Sequence, residues 1–248
     1  MRLHATLFLA VLVPAALAPL CIGQQSVMPR DYRGPQTYIS GIFVTPVPNA
    51  PFSAKVEIVS QQKLPDGSLN TRTTTTHIAR TTSGVIYNER RQFLPTAAKG
   101  DPVLLSIHTY DPSTRLSTIL DPFTHLAKEN VLQQPPTAPA HSVPTPTPAN
   151  PMFKEEQLGT QNIGSVLLQG IRKSRTIPAT MSGTGQEVVV VDEYWYSPDL
   201  SIYMILKHED PRSGEQIVAV TEVERTEPDA KLFAIPANYK IVDETPVP

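Results

Sequence analysis

Residues 52–58 alternate in polarity, with Phe52, Ala54, Val56 and Ile58 on one side and Ser53, Lys55 and Glu57 on the other. That period of two predicts a strand over Phe52–Gln61 with one face in a core. The strongest strand signal lies in 186–225, QEVVVVDEYWYSPDLSIYMILKHEDPRSGEQIVAVTEVER, where three runs rich in Val, Ile, Tyr and Trp are separated by SPD and DPRSGE. We read it as a three-stranded antiparallel meander. Leu64-Pro65-Asp66-Gly67-Ser68, Thr81-Thr82-Ser83-Gly84, Asp111-Pro112-Ser113-Thr114 and Asp121-Pro122 break the pattern elsewhere. Proline presets φ, Asp accepts from its own downstream backbone, and Gly supplies a positive φ, so each break is a turn. The turns leave strands over 69–79, 85–92, 103–110, 115–120 and 123–128, with a loop over 94–101. The Thr-rich strand 69–79 is weakly apolar and is expected to keep one face in water.

The second half opens with a strand pair running from Glu156 through Ser165–Ile177, followed by a loop over 178–186. One helical turn over 227–233 and a short strand near Tyr239–Val242 end the chain, and a further short strand is expected over Thr37–Val44. No window of a dozen residues beyond the N-terminal apolar run keeps a helical period, which allows at most one or two short helices. The predicted fold class is mainly β: antiparallel meanders forming a curved sheet or open half-barrel. Whether they make one continuous sheet or two adjacent ones is open at this level. IHTYDPS at 107–113 and KHEDPRS at 207–213 both place a strand before an Asp-Pro turn, a weak internal echo.

Proline accounts for 26 of the 248 residues and seven of them fall in PPTAPAHSVPTPTPANP, 135–151. Such a run cannot bury a core and favours extended polyproline geometry. The expected organisation is a signal peptide over 1–23, an extended segment over 24–51 and a first meander over 52–130. A Pro-rich linker over 131–152 and a second meander over 153–248 follow. Arg2 and His4 precede the apolar run Leu7–Leu20, which contains Pro14 and Pro19. That is export-signal patterning, with cleavage expected after Gly23, and it is too short and too Pro-broken for a transmembrane span. Leu20 and Pro19 before Cys21 argue against a lipid-modified cysteine. Cleavage after Gly23 leaves no cysteine, hence no disulfide or thiol chemistry. No N-x-S/T sequon is present, and the expected location is the bacterial periplasm or exterior.

The net charge of −2 gives no reason to expect a nucleic-acid partner. His77, His108, His125, His141 and His208 show no metal-ligand spacing, and there is no G-x-S-x-G. Asp192 and Glu193 point to opposite faces of a strand, while Glu222 and Glu224 share a face that reads as solvated. Ser182-Gly183-Thr184-Gly185 lacks the Lys and helix of a phosphate loop and reads as a hairpin loop. Arg90, Arg91, Arg172, Lys173 and Arg175 read as strand-face cations paired across to Glu. No catalytic residue, metal ligand or cofactor is assigned. The most distinctive cluster is Tyr194-Trp195-Tyr196. Alternation puts both tyrosines on one face and the indole on the other, with Tyr203 returning to the same end of the sheet. These four are the candidate lining of a ligand groove.

PFSAKVEIVSQQKLPDGS, SIHTYDPSTRLSTILDP, the Pro-rich middle, LGTQNIGSVLLQGIRKSRTIPA, EYWYSPDLSIYMILKHEDPRSGE and EPDAKLFAIPANYKI resemble, in that order, an uncharacterised secreted bacterial family of acidobacterial type. An Arg-Asp-x-x-Gly-Arg-type turn of that family stands here as Arg80-Thr81-Thr82-Ser83-Gly84-Val85. The resemblance brings no catalytic residues. Export and a two-part meander also resemble, more loosely, the periplasmic half-barrels of lipoprotein carriers and the RseB-like envelope-stress regulator. That likeness implies a sheet wrapped around an apolar cavity. The expected function is a non-enzymatic envelope or secreted binding protein for a lipid-like molecule or a protein partner. The alternatives are an assembly subunit joined through sheet edges and, after it, an unrecognised hydrolase.

Overall fold

The computed structural model describes Ile39, residues 41–133 and residues 151–246. The export signal, cleavage after Gly23, Cys21, His141 and residues 134–150 of the Pro-rich stretch lie outside the described residues. The strands are β1 Phe52–Lys63, β2 Leu69–Arg80, β3 Ile86–Arg91, β4 Leu94–Pro95, β5 Leu104–Asp111, β6 Leu116–Asp121 and β7 Leu126–Val131. After the Pro-rich stretch come β8 Phe153–Ile163, β9 Val166–Ile177, β10 Val188–Ser197, β11 Ile202–Asp210, β12 Gly214–Glu224 and β13 Lys240–Asp243. A 3₁₀ turn spans Ala230–Phe233.

The 13 strands form one open sheet, in keeping with a curved half-barrel, in the order β13-β7-β6-β5-β3-β2-β1-β12-β11-β10-β9-β8, with β4 added beside β2. Each meander is sequential. They are joined where β1 pairs antiparallel with β12, Val56 opposite Val220 and Ile58 opposite Val218. The first strand of one half and the last of the other therefore form the centre of the sheet, and the two-sheet alternative is excluded.

The hairpin ends follow the turn chemistry of the sequence. Asp66 accepts from the backbone N–H of Ser68, Asp111 from Ser113, Asp121 from Phe123 and Asp210 from Arg212. The Ser68 side chain and then its N–H hold the Asp66 carboxyl below its ordinary range, and the Thr124 side chain and then the Phe123 N–H do the same at Asp121. The two Asp-Pro turns of the internal echo use the same device. Arg172 pairs with Glu193 at 2.7 Å and Lys173 with Glu155 at 3.5 Å, as expected for cross-strand cations.

Phe52, Val56, Ile58, Ile78, Ile86, Leu168, Leu200, Ile202, Met204 and Val218 make the core with Ile42 and Val44. Burying side chains of this size is the main stabilising term of such a sheet, at about 25 cal/mol per Å² of apolar surface. Ile42 and Val44 come from the segment 41–50, which is not a strand, contrary to the expectation for residues 41–44; residues 37, 38 and 40 of that expected strand lie outside the described residues. It is a strap laid on the core. Pro46, Pro48 and Pro51 carry no N–H for a ladder, so side chains hold the strap instead. Gln216 accepts from the backbone N–H of Ile39 at 2.8 Å and donates to its carbonyl at 3.0 Å. Arg80, wholly buried, donates to the carbonyls of Thr45 and Ala50 on the strap and of Leu200 beyond β10.

Other boundaries also moved. Residues 122–125 remain in the turn and β7 starts at Leu126, because His125 adopts φ 52°. Residues 94–95 add a short strand inside the expected loop. A β-bulge, with φ 48° at Glu222 and a shift of register between Ser53 and Lys55, lies near the end of β12; Val223 packs on the core while Glu222 and Glu224 are both exposed, as expected, and Glu222 pairs with Lys55. The last strand, β13, is parallel to β7 rather than antiparallel.

Candidate functional site

The aromatic cluster sits on β10 and β11. Tyr203 meets Tyr194 and Tyr196 edge-on, with ring centroids 5.8 and 5.3 Å apart, and Tyr203 is 45% exposed. Lys173 Nζ lies 5.9 Å from the Tyr194 centroid. Burial first, and then the charge of Asp192, pushes the Tyr194 hydroxyl above its ordinary value. Trp195 departs from its neighbours: it packs against the core cluster and its ring lies over Gly170, its partner on β9. The ladder to β11 shifts by one residue between Trp195 and Tyr196, which lets Tyr196 face Tyr203. The structure thus gathers the three tyrosines and sends the indole elsewhere.

A Cβ at Gly170 would lie 2.6 Å from Trp195 Cζ3, closer than any side chain tolerates. Gly170→Ala is therefore expected to displace the indole and cost about 1–3 kcal/mol. Trp195 is the single tryptophan of the chain, so urea unfolding followed by its emission reads both effects. An unchanged emission maximum and midpoint would contradict the packing described.

A second site went unread in the sequence. Where Gly41–Phe43 of the strap passes β2, β3 and β5, an open-sided cleft of about 300 Å³ remains, lined by Ile42, Phe43, Thr76, Ile78, Asn88, Glu89, Arg90, Ser106 and His108. Its floor is set by register: Asn88 lies opposite Ile78 on one side and His108 on the other, and Arg90 opposite Ser106. Asn88 Oδ1 is buried without a hydrogen-bond partner, an arrangement that costs about 1–3 kcal/mol. His108 Nε2 is 3.0 Å from Ser117 Oγ, and burial pushes the imidazole below its ordinary value, which keeps it neutral at pH 7. Arg90 makes no ion pair among the described residues. Ile119, opposite His108 on β6, is 46% exposed, and Phe43 is 75% exposed. Period-two parity puts Thr76, Ile78, Asn88, Arg90, Ser106 and His108 on one face of their strands, with Glu89 on the other, but only the pairing of β2, β3 and β5 makes them neighbours.

On the other face of β3, burial alone would raise Glu89, but hydrogen bonds from Arg91, His77 and Tyr87 hold its carboxyl below the ordinary 4.5. Burial, and Glu89 itself, push the Tyr87 phenol up.

Two fragments of catalytic constellations occur, in different places. His108 has a serine but no carboxylate on its other ring nitrogen among the described residues. His208, buried, has Asp192 at 2.7 Å from Nδ1 but no serine among its hydrogen bonds there. The Ser-His-Asp arrangement has both partners on one imidazole. His125 stacks on Tyr239 and His77 binds Glu89. No group of three or more His, Cys, Asp or Glu that could hold a metal occurs among the described residues, and no described helix is long and apolar enough to cross a membrane.

No protein-family model and no curated protein matches the chain. Among solved structures, it is similar to an uncharacterised conserved protein from Thermus thermophilus, at 10% identity and a TM-score of 0.40, over 79% of this chain and 91% of that one. A LolA superfamily protein from Nitrosomonas europaea matches at 14% identity and a TM-score of 0.27, over 76% and 91%. A DUF1329 family protein from Desulfovibrio piger matches at 10% identity and a TM-score of 0.21, over 75% and 90%.

Proposed function

We propose that this chain is an exported, non-enzymatic binding protein that holds a lipid-like amphiphile in the cleft between the strap and β2, β3 and β5. The observation that carries the reading is the unpaired Asn88 Oδ1 on a wall that also bears an apolar rim. A ligand group that donates a hydrogen bond to Asn88 would remove the cost of that orphan acceptor. The neutral His108 and Ser106 add polar partners, and the guanidinium of Arg90 attracts an anionic head. An apolar tail has Phe43 and Ile119 to cover. The cleft is at the small end of ligand sites, so it suits a head group with its tail lying on the sheet rather than a fully enclosed lipid.

The test uses the protein exported from its own signal, extracted and analysed by mass spectrometry, then titrated with a fluorescent fatty acid. The double variant Phe43→Glu/Ile119→Glu is expected to weaken probe binding at least about tenfold while leaving the unfolding midpoint nearly unchanged, since both side chains are exposed. Tyr203→Ala distinguishes the alternative groove at Tyr194, Trp195, Tyr196 and Tyr203. Loss of probe binding there, with the double variant unaffected, would move the site to the aromatic cluster. A wild-type protein that binds no probe and carries no extractable lipid would overturn both.

A further inference from the structure

His108 lines the cleft with one ring nitrogen engaged and the other without a side-chain partner. Nε2 is 3.0 Å from Ser117 Oγ, and Nδ1 bonds to no described side chain. A hydroxyl both donates and accepts, so Ser117 suits the imidazole in either charge state. It donates to Nε2 of a neutral ring and accepts from Nε2–H of a protonated one. Charging His108 therefore breaks no hydrogen bond, and it makes both ring nitrogens donors.

What the cleft lacks is a counter-ion. Directly opposite His108 lie Asn88 on β3 and Ile119 on β6, neither charged. Arg90, on the same face and opposite Ser106, adds a cation. Tyr110 follows on β5, opposite Ser117. Beyond Ile119 stands Lys128 of β7, which Glu244 pairs at 2.8 Å. Asp121 turns into its own hairpin end, where it accepts from Phe123 and Thr124. Glu89, on the other face of β3, is held by Arg91, His77 and Tyr87. The strap brings Gly41, Ile42 and Phe43, none of them charged. Among the described residues no carboxylate faces His108, and burial without an opposing charge keeps its ring neutral. An anion drawn in by Arg90 changes both conditions. It sets a negative charge beside the ring and offers an acceptor to Nδ1–H, and each favours the protonated form.

We propose that the cleft takes up its anionic ligand together with a proton, carried by His108, so that acid favours binding and a rising pH favours release. This rests on the reading of the cleft as the site of an anionic amphiphile and adds the condition under which it fills. The free imidazole titrates below its ordinary value, and the bound anion lifts it. The extra affinity is complete below the free value and is lost as the pH rises past the bound one.

Titration calorimetry of the purified protein with decanesulfonate, which stays anionic throughout, tests this beside the neutral decyl maltoside, both below their micelle-forming concentrations. Sulfonate affinity is expected to rise roughly fivefold from about pH 7.5 to about pH 5.5, as a pKa change of about one unit gives over that range. Heats measured in two buffers of different ionisation enthalpy should show proton uptake near pH 6 with the sulfonate and none with the maltoside. His108→Gln, which still offers Ser117 a hydrogen bond, is expected to remove both the pH dependence and the uptake. Arg90→Gln should weaken sulfonate binding at both pH values and keep the uptake. Circular dichroism at both pH values confirms that the variants are folded. Sulfonate binding without proton uptake, or uptake that survives His108→Gln, overturns the proposal and leaves the lipid-like reading standing. Binding of the maltoside alone also overturns it, and binding of neither amphiphile overturns the reading of the cleft as well.

Discussion

Replacing Arg80 with methionine is expected to lower the stability of the fold by about 3–5 kcal/mol, a drop in melting temperature on the order of 10 °C for a domain of this size. Arg80 is fully buried and meets no carboxylate among its hydrogen bonds. Its charge is held by main-chain oxygens: Nε and one terminal nitrogen reach Ala50, at 2.8 and 2.7 Å, and the terminal nitrogens also reach Thr45 and Leu200, each at 2.8 Å. The guanidinium lies 5.0 Å from the Phe52 ring centroid. Burial pulls its pKa below the ordinary guanidinium value, as desolvation of a cation must. Methionine fills similar space but leaves the carbonyls of Thr45, Ala50 and the buried Leu200 without the donors of the guanidinium. Lysine is not a substitute either, because one ammonium cannot present the planar fork that reaches three segments at once. Arg72, exposed on the same strand, is the control, and Arg72→Met should change stability by less than about 0.5 kcal/mol. Chemical unfolding of the three variants checks the order. An Arg80→Met protein as stable as the Arg72→Met protein would refute this account of the strap.

Gly214→Ala is the second large effect, expected at about 3 kcal/mol from a strained φ combined with overpacking. Gly214 opens β12 at φ 123°, and a Cβ there would sit 1.8 Å from the carbonyl oxygen of Gln61 and 2.9 Å from its carbon. Both atoms are backbone, so no rotamer relieves the clash. Either β1 moves away from β12 or the hairpin end opens, and both damage the pairing that joins the two meanders. The position is pinned from the other side as well: Lys63 donates to the Ser213 carbonyl at 2.9 Å, and Asp210 holds Arg212 through its backbone and guanidinium. Gly67→Ala gives the comparison: φ is also positive there but nothing lies within 4 Å of the new Cβ, so only the backbone cost applies. Thermal unfolding should place Gly214→Ala well below Gly67→Ala, and equal midpoints would show that the seam tolerates the displacement.

These residues mark the limits of reading a chain by its pattern. Arg80 has the parity of Thr74, Thr76 and Ile78 on β2, so alternation points it inward. Its partners are 30, 35 and 120 residues away, and nothing local announces them. The strap failed as a predicted strand for a related reason. Ile42 and Val44 alternate as a strand would, but a strand exists only where a neighbour supplies its hydrogen bonds. The segment met the Gln216 and Arg80 side chains instead. The aromatic triplet divided its rings as alternation requires, and the glycine that receives Trp195 became visible only once β9 lay beside β10.

By itself the sequence determined the β class, the strands of both meanders and nearly every turn between them. Those depend on side-chain period, on proline and glycine backbone limits, and on Asp side chains reaching two residues along. All of these are interactions within a few positions of the chain. Only the tertiary structure decided that β1 and β12 close the two halves into one sheet, that Arg80 fastens the strap, and that Asn88, His108 and Phe43 meet at one cleft. Those contacts join residues far apart along the chain, and their energies depend on burial and on neighbours that exist only after the sheet has formed.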